Sequence, residues 1–297
     1  MGSRRPPSRL RLVAERDEIL LDLVVRKGAV SGELARSAIG RGGAFVAGRR
    51  VRDPDAKVRA GDRVELTLRA PDVPSLGRER ILYLDDLLLA VDKPAGVAAQ
   101  EDLAGGPALP DLCAALLRES GEPDTQALLV HRLDRGTTGV TLLARTREAQ
   151  AALLAEFREH RARKEYRALV LAAPADAEGI VEVPVARRPA RTRWRVLERF
   201  PVGALVAAFP ETGRSHQIRV HLGQVGSPLL GDKAYGGPPF LTHPDGARHE
   251  LARPMLHALS LAVRHPRGSD LRVAAPLPPD FEAARAFLAR QTVDRPR

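Results

Sequence analysis

His131-Arg132-Leu133-Asp134-Arg135-Gly136-Thr137-Thr138-Gly139-Val140 sets one carboxylate between two arginines, in a segment that regular helix does not accommodate. Gly136 and Gly139 open backbone angles closed to other residues. The apolar stretch Val140 to Ala144 follows at once and reads as a buried strand. An acid is therefore presented on a loop at the edge of a strand, among cations. That arrangement suits a nucleophile or a charge stabiliser working on an anionic polymer.

The bulk numbers agree with such a partner. The 297 residues suffice for one large or two modest domains. Hydrophobic residues make up 44%, enough to bury a sizeable core. A net charge of +10 and a pI of about 10.6 point to a polyanion. Only 4% of residues are aromatic, which argues against extended base-stacking platforms and for arginine contacts to phosphate. Cys113 is the single cysteine, so intrachain disulfides and thiolate metal clusters are excluded and a reducing, cytoplasmic setting fits. It lies in the apolar helical pattern Leu112 to Leu117, where a buried inert thiol is expected. No apolar run approaches the ~18 residues of a membrane span. Residues 1–8 are basic, lack a signal-peptide core and read as a disordered arm.

Charge is unevenly placed: residues 1–70 hold 16 Lys or Arg against 9 Asp or Glu. Residues 9–70 therefore read as a separate basic module. Ser31 to Ile39 reads as a helix, and Ala44 to Val51 as a hairpin turning near Gly48. Gly61-Asp62 turns into the alternating strand Arg63 to Leu68. Residues 71–80 look like a linker. Beyond it, Leu87 to Val91 is an apolar strand ending at Asp92-Lys93-Pro94-Ala95-Gly96, where Asp92 and Lys93 read as turn and structural residues. Thr146 caps an amphipathic helix to His160, with Ala149, Leu153, Leu154 and Phe157 on one face. Tyr166 to Leu171, Ala204 to Phe209 and Leu259 to Val263 are further strands, and Asp280 caps a last helix through Phe287. Gly105-Gly106 is a loop and not a phosphate fingerprint. Many strands with few, non-alternating helices predict an α+β fold over residues 81–297.

Four further segments are unusually polar. Lys164 to Val170 places Tyr166 in an otherwise core-building strand. Thr212 to Leu222 is basic and predicts a helix capped near Thr212 or Ser215. Gly231-Asp232-Lys233-Ala234-Tyr235-Gly236 is a glycine-bounded loop, and Leu256-His257-Ala258 leads into a strand. With the opening run and Asp92 to Gly96, this set resembles the RluA-type pseudouridine synthases, in the family's order, across roughly two thirds of the chain. The basic module resembles the alpha-L (S-four-type) RNA-binding domain, with Ala47-Gly48 where that family has Asn-Gly. Two segments depart from the synthases: Val185 to Arg195 is short, and Val97 to Gln100 lacks the usual apolar and His-Pro pattern.

The resemblance implies an RNA pseudouridine synthase with a mixed, mainly antiparallel sheet and a central cleft. It makes Asp134 catalytic and Arg219 its charge partner. It makes Tyr166 a stacking contact to uracil and a candidate proton acceptor, although a neutral phenol is a poor base and a water or Asp134 itself could take that proton; attack by Asp134 on the uracil ring or on C1′ both stay open. Arg132 is implied to handle the flipped nucleotide, and His131, Arg135, Arg214, His216 and Gln217 to bind substrate. The isomerisation breaks the N1–C1′ bond and joins C5 to C1′ without redox change or hydrolysis, so neither cofactor nor metal is expected. His216 and His221 are spaced i, i+5, off one helix face, with no intervening glutamate as in a zincin. The target base lies in stacked RNA and must be flipped out. The implied partner is RNA, ribosomal RNA of the large subunit above transfer RNA, acted on by a monomer. Two rival readings stay open: a non-catalytic RNA-binding or ribosome-assembly protein on the same fold, and a base-excising glycosylase, which needs a positioned water.

Overall fold

The computed structural model describes residues 9–68, 76–100 and 107–290. The expected arm at 1–8, residues 71–75 of the expected linker and Gly105-Gly106 lie outside the described residues. The described chain divides into two compact units, one of residues 9–68 with 100 and 107–109, the other of residues 76–99 and 110–290.

The first unit runs β1 (Arg9–Val13), β2 (Glu18–Ile19), α1 (Leu20–Gly28), α2 (Gly32–Gly40), β3 (Ala44–Val46), β4 (Arg49–Val51), β5 (Lys57–Val58) and β6 (Arg63–Thr67). Its four-stranded sheet has the order β1-β6-β3-β4, and β2 pairs with β5. The Ser31 hydroxyl caps α2 by accepting the Leu34 N–H, as its sequence position suggests. At the hairpin, Ala47 (φ 47°) and Gly48 (φ 78°) are both left-handed, as a two-residue turn that matches strand twist requires. An alanine there costs roughly 1–2 kcal/mol that asparagine or glycine would largely avoid. Helix α1 was not expected from the sequence, because Ile19 stands at its N-cap and offers no side-chain bond. Burial of Leu20, Leu23 and Val24 holds it instead, in one core with Ala35 and Ile39.

The second unit runs β7 (Ile81–Leu84), β8 (Leu88–Lys93), α3 (Leu109–Glu119), β9 (Leu128–Leu129), β10 (Thr138–Ala144), α4 (Arg147–Arg158), β11 (Arg163–Val170), β12 (Glu178–Val181), β13 (Thr192–Phe200), β14 (Gly203–Pro210), α5 (Gln217–Gln224), β15 (Phe240–Thr242), β16 (Arg248–Glu250), β17 (Leu256–Arg264), β18 (Asp270–Ala274) and α6 (Pro279–Ala289). A ten-stranded sheet follows the order β12-β13-β14-β11-β17-β10-β8-β7, with β18 on β17 and β9 on β10. All these pairings are antiparallel except β10 with β17, so the sheet is mixed and mainly antiparallel.

Every residue of β10 is buried, Thr138 and Thr141 included, which explains its largely apolar reading. Val140, Leu142 and Ala144 share a core with Ala149 and Leu153 of α4. Along β11, Ala168 and Val170 join Ile218 and Leu222 of α5, while Leu169 joins Phe281 and Phe287 of α6. That period-two division is what a strand between two packed layers requires.

One helix start differs from expectation and a second is narrowed by the structure. Helix α6 begins after Pro278, with Pro279 in its first turn, and Asp280 is not its cap. The Asp280 carboxylate is drawn to Arg253, at 2.7 and 2.9 Å. Helix α5 begins at Gln217, with His216 at its N-cap, next to Ser215 and not at Thr212. The Gln217 side-chain oxygen accepts the Arg214 N–H and the Thr212 hydroxyl, and these local bonds hold residues 212–216 out of helix.

Candidate active site

The loop carrying Asp134 is fixed from beneath at successive residues. The Lys93 ammonium, fully buried at the end of β8, donates to the carbonyls of Pro94 (3.0 Å), Val97 (2.9 Å) and Arg135 (3.3 Å). Burial pushes this ammonium down to about 7; Arg253 adds to the shift and Asp134 opposes it. The Arg135 guanidinium donates to the Gly96 carbonyl at 2.8 Å, and the Gly96 N–H to the Arg135 carbonyl at 2.9 Å. Arg253 donates to the carbonyls of Gly136 (3.3 Å), Pro254 and Leu256 (both 3.1 Å). Thr138 Oγ1 lies 2.8 Å from His257 Nδ1. Gly139 has φ 110°, and a Cβ there would lie 2.2 Å from the Ala258 carbonyl oxygen, so only glycine lets β10 pair with β17 at this point. Gly136 has no positive φ, and a Cβ there would lie a tight 3.1 Å from Pro254 Cδ, a contact that a shift of a few tenths of an ångström would ease.

This clamp makes a stability prediction. Arg253 is 5% exposed and also grips Asp280. Arg253→Met leaves three carbonyls without their donor and Asp280 without its cation, half-solvated as it is. We expect a loss of about 2 kcal/mol in urea unfolding; an unchanged midpoint would show that the loop is held without it.

Above this base, Asp134 meets two groups from the 212–224 segment. Arg219 Nη1 is 3.4 Å from Asp134 Oδ2, and His216 Nε2 is 3.8 Å from Oδ1. Arg219 lies on the first turn of α5 and is itself gripped by Asp232, Nε to Oδ2 at 2.6 Å and Nη2 to Oδ1 at 2.7 Å. Burial works against the guanidinium charge, but the bonds and charge of Asp232, then of Asp134, hold its pKa above the ordinary value. Arg219 also stacks over Tyr235, 4.9 Å from the ring centre. His216 is left-handed (φ 59°), which costs a non-glycine residue on the order of 1 kcal/mol, and its Nδ1 is 2.9 Å from the Tyr235 hydroxyl.

These groups open into a cavity of about 600 Å³, lined among others by Arg132, Asp134, Leu154, Tyr166, Arg214 and Arg219. Tyr166 is half-buried where β11 shifts register against β17, between Glu165 and Tyr166. Burial, and then the charge of Asp134, push its phenol above the ordinary value, which argues for a wall and against a base. Lys164 donates to the Thr212 carbonyl at 3.1 Å, and burial pushes its ammonium down to about 8.

Of the nine residues expected at the site, the cavity is lined by eight: His131, Arg132, Asp134, Tyr166, Arg214, His216, Gln217 and Arg219. Arg135 is not among them; its guanidinium serves the loop. His131 contributes its ring, stacked on Phe157 at 4.8 Å, while its Nε2 accepts the Leu142 N–H. Burial, with the Lys164 charge, lowers its pKa to about 3, so that nitrogen keeps its lone pair. Gln217 has all four amide bonds engaged, with Thr212, Arg214, Arg191 and Thr192. Arg214 Nε donates to the Pro189 carbonyl at 2.9 Å, whereas Arg132 is exposed at the rim. His221 turns inward to Thr192 and the Val183 carbonyl. The short segment after β12 closes through a Val185–Arg188 bridge with Ala186 and Arg187 left-handed. Asp232, Tyr235 and Arg253 were given no role from the sequence.

A family model described as RNA pseudouridylate synthase matches residues 87–224. A ribosomal large subunit pseudouridine synthase D from Nitrosomonas europaea is 37% identical over 241 residues, 73% of this chain and 68% of that protein. A ribosomal large subunit pseudouridine synthase C from Pasteurella multocida is 35% identical over 259 residues, 81% of this chain and 77% of that protein. The chain belongs to the RNA pseudouridylate synthase family. The solved structure of human RNA pseudouridylate synthase domain containing 4 shares the fold, with a TM-score of 0.59 at 24% identity over 71% of this chain and 93% of that one.

Membership makes the chain an isomerase, and neither the glycosylase nor the non-catalytic protein that the sequence alone left open. The matched region contains Asp134, Tyr166 and Arg219, while Asp232, Tyr235 and Arg253 lie beyond its end. No helix among the described residues is long and apolar enough to cross a membrane.

Proposed function

We propose that the chain converts uridine to pseudouridine in large-subunit ribosomal RNA, with Asp134 as the carboxylate that acts on the nucleotide. The observation that carries this reading is a carboxylate at the wall of the cavity, 3.4 Å from the Arg219 guanidinium, with the Tyr166 ring on the same cavity. Arg219 offers a fixed positive charge beside that carboxylate. Tyr166 offers a flat face for the uracil. Arg132 and Arg188 are exposed at the rim, where the phosphates on either side of a flipped nucleotide would pass. Residues 9–70 act as the RNA-binding module, with Arg36, Arg49, Arg59 and Arg63 exposed on the small unit. The ribosomal target is supported by the names of the relatives above.

The test is a pseudouridine map of total RNA from cells with and without the gene. We expect at least one pseudouridine of large-subunit ribosomal RNA to disappear on deletion, and to return when purified protein acts on the corresponding transcript. Loss confined to transfer RNA would overturn the target, and an unchanged map together with an inactive purified protein would overturn the reading.

A further inference from the structure

Isomerising uridine needs one proton transfer beyond the part given to Asp134 at the nucleotide. Once C5 is bonded to C1′, the hydrogen on C5 must leave as a proton, and N1, freed from the sugar, must gain one. Tyr166 is ill suited, because burial and Asp134 both disfavour the phenolate. Lys93 does not line the cavity, and Lys164 donates to the Thr212 carbonyl.

His216 differs from all of these. It lines the cavity, and its side chain is 42% exposed. Its backbone is held in the left-handed region, although a glycine would adopt that conformation without strain. That turn brings Nε2 to 3.8 Å from Asp134 Oδ1. The other nitrogen, Nδ1, is tied to the Tyr235 hydroxyl at 2.9 Å, and Tyr235 meets the ring edge-on at 80°. One nitrogen is thus anchored and the other faces the reacting carboxylate, the layout of a base oriented by a third group.

We propose that His216 is the base that removes the C5 proton of the rearranged uracil, with Tyr235 orienting its ring. The proposal rests on the reading of this cavity as the uridine site. In the step, the C5–H bonding pair becomes the C5–C6 double bond, and the N1–C6 double-bond pair moves onto N1. The proton goes to His216 Nε2 while Nδ1–H donates to the Tyr235 oxygen. The imidazolium so formed lies against the Asp134 carboxylate and returns its proton to N1. Protons and electrons balance within the site, and no co-reactant enters.

The test uses the full chain on an RNA whose target uridine carries deuterium at C5. In the wild type, we expect proton removal to be fast and no primary isotope effect on single-turnover rate. His216→Gln can still bond to Tyr235 but takes up no proton. We expect its rate to fall about 10²-fold, RNA affinity to stay within a few fold, and a primary deuterium effect to appear. His216→Gly suits the left-handed backbone, and added imidazole should restore part of its rate. A His216→Gln enzyme as fast as wild type, or one slowed with neither isotope effect nor imidazole rescue, would overturn the proposal. A wild-type chain that forms no pseudouridine would instead overturn the functional reading beneath it.

Discussion

Asp134→Asn is expected to lower pseudouridine formation by at least about 10⁴-fold and to leave RNA affinity within about threefold. Asparagine keeps the size of the side chain and removes the charge and the nucleophilic oxygen. The loop beneath should not move, because its backbone is held by Lys93, Arg253 and His257 through carbonyls and Thr138, none of which uses the Asp134 carboxylate. Arg219 keeps its two bonds to Asp232, so no buried cation is left alone. On the proposed reading, binding rests on arginine and lysine contacts to phosphate, to which a carboxylate adds nothing. Product would be measured by release of tritium from C5-labelled uridine in RNA, and affinity by filter binding at fixed salt. Wild-type turnover in the variant would remove Asp134 from the chemistry. A large loss of affinity with turnover per bound complex unchanged would make it a binding residue.

The parts of this site that could be read in the sequence are those whose signal is local. The Asp134 loop announces itself because a charged run with two glycines abuts an apolar strand. Thr146 reads as a cap and is one, with the Ala149 N–H on its hydroxyl at 3.1 Å. Asp232 and Tyr235 could not be assigned that way. They sit in a loop without periodicity, and their meaning comes from Arg219 and His216, which reach them only after α5 has folded back. Gly231 was the available clue: it is left-handed, and a Cβ there would lie 1.9 Å from the Arg253 carbonyl oxygen, so the loop is pressed against the segment that braces Asp134. Asp280 was misread for the opposite reason. Its position suits a helix cap, but the cap is Pro278, and the Asp280 carboxylate, besides taking the Phe281 N–H, holds the buried guanidinium of Arg253 with both oxygens. The charge that meets Asp134 comes from Arg219, 85 residues away, which only the family resemblance pointed to, while Arg135 beside it serves a carbonyl.

That displaced charge makes Asp232 the residue whose loss should be felt most widely. Asp232 is 1% exposed and takes two short bonds from Arg219, while Asp134 takes one longer contact from the same guanidinium. Asp232 therefore sets where the cation stands, and Asp134 experiences it at arm's length. Asp232→Ala removes the stronger partner and leaves a nearly buried guanidinium. Breaking one side of a buried ion pair costs about 4 kcal/mol, to be read in chemical denaturation. The remaining protein should also react more slowly. Arg219 would close on Asp134, its other carboxylate partner among the described residues, and draw the oxygen proposed to react off its line to the nucleotide. Misplacement on that scale lowers the rate about 10²-fold. Asp232 does not line the cavity, so KM for RNA should hardly change while kcat falls. Asp232→Asn keeps one acceptor oxygen for the guanidinium and should lose less of both. If Asp232→Ala matches the wild type in stability and kcat, Arg219 is positioned by its stacking on Tyr235 and not by the carboxylate. If KM rises and kcat holds, Arg219 acts on the RNA and not on Asp134.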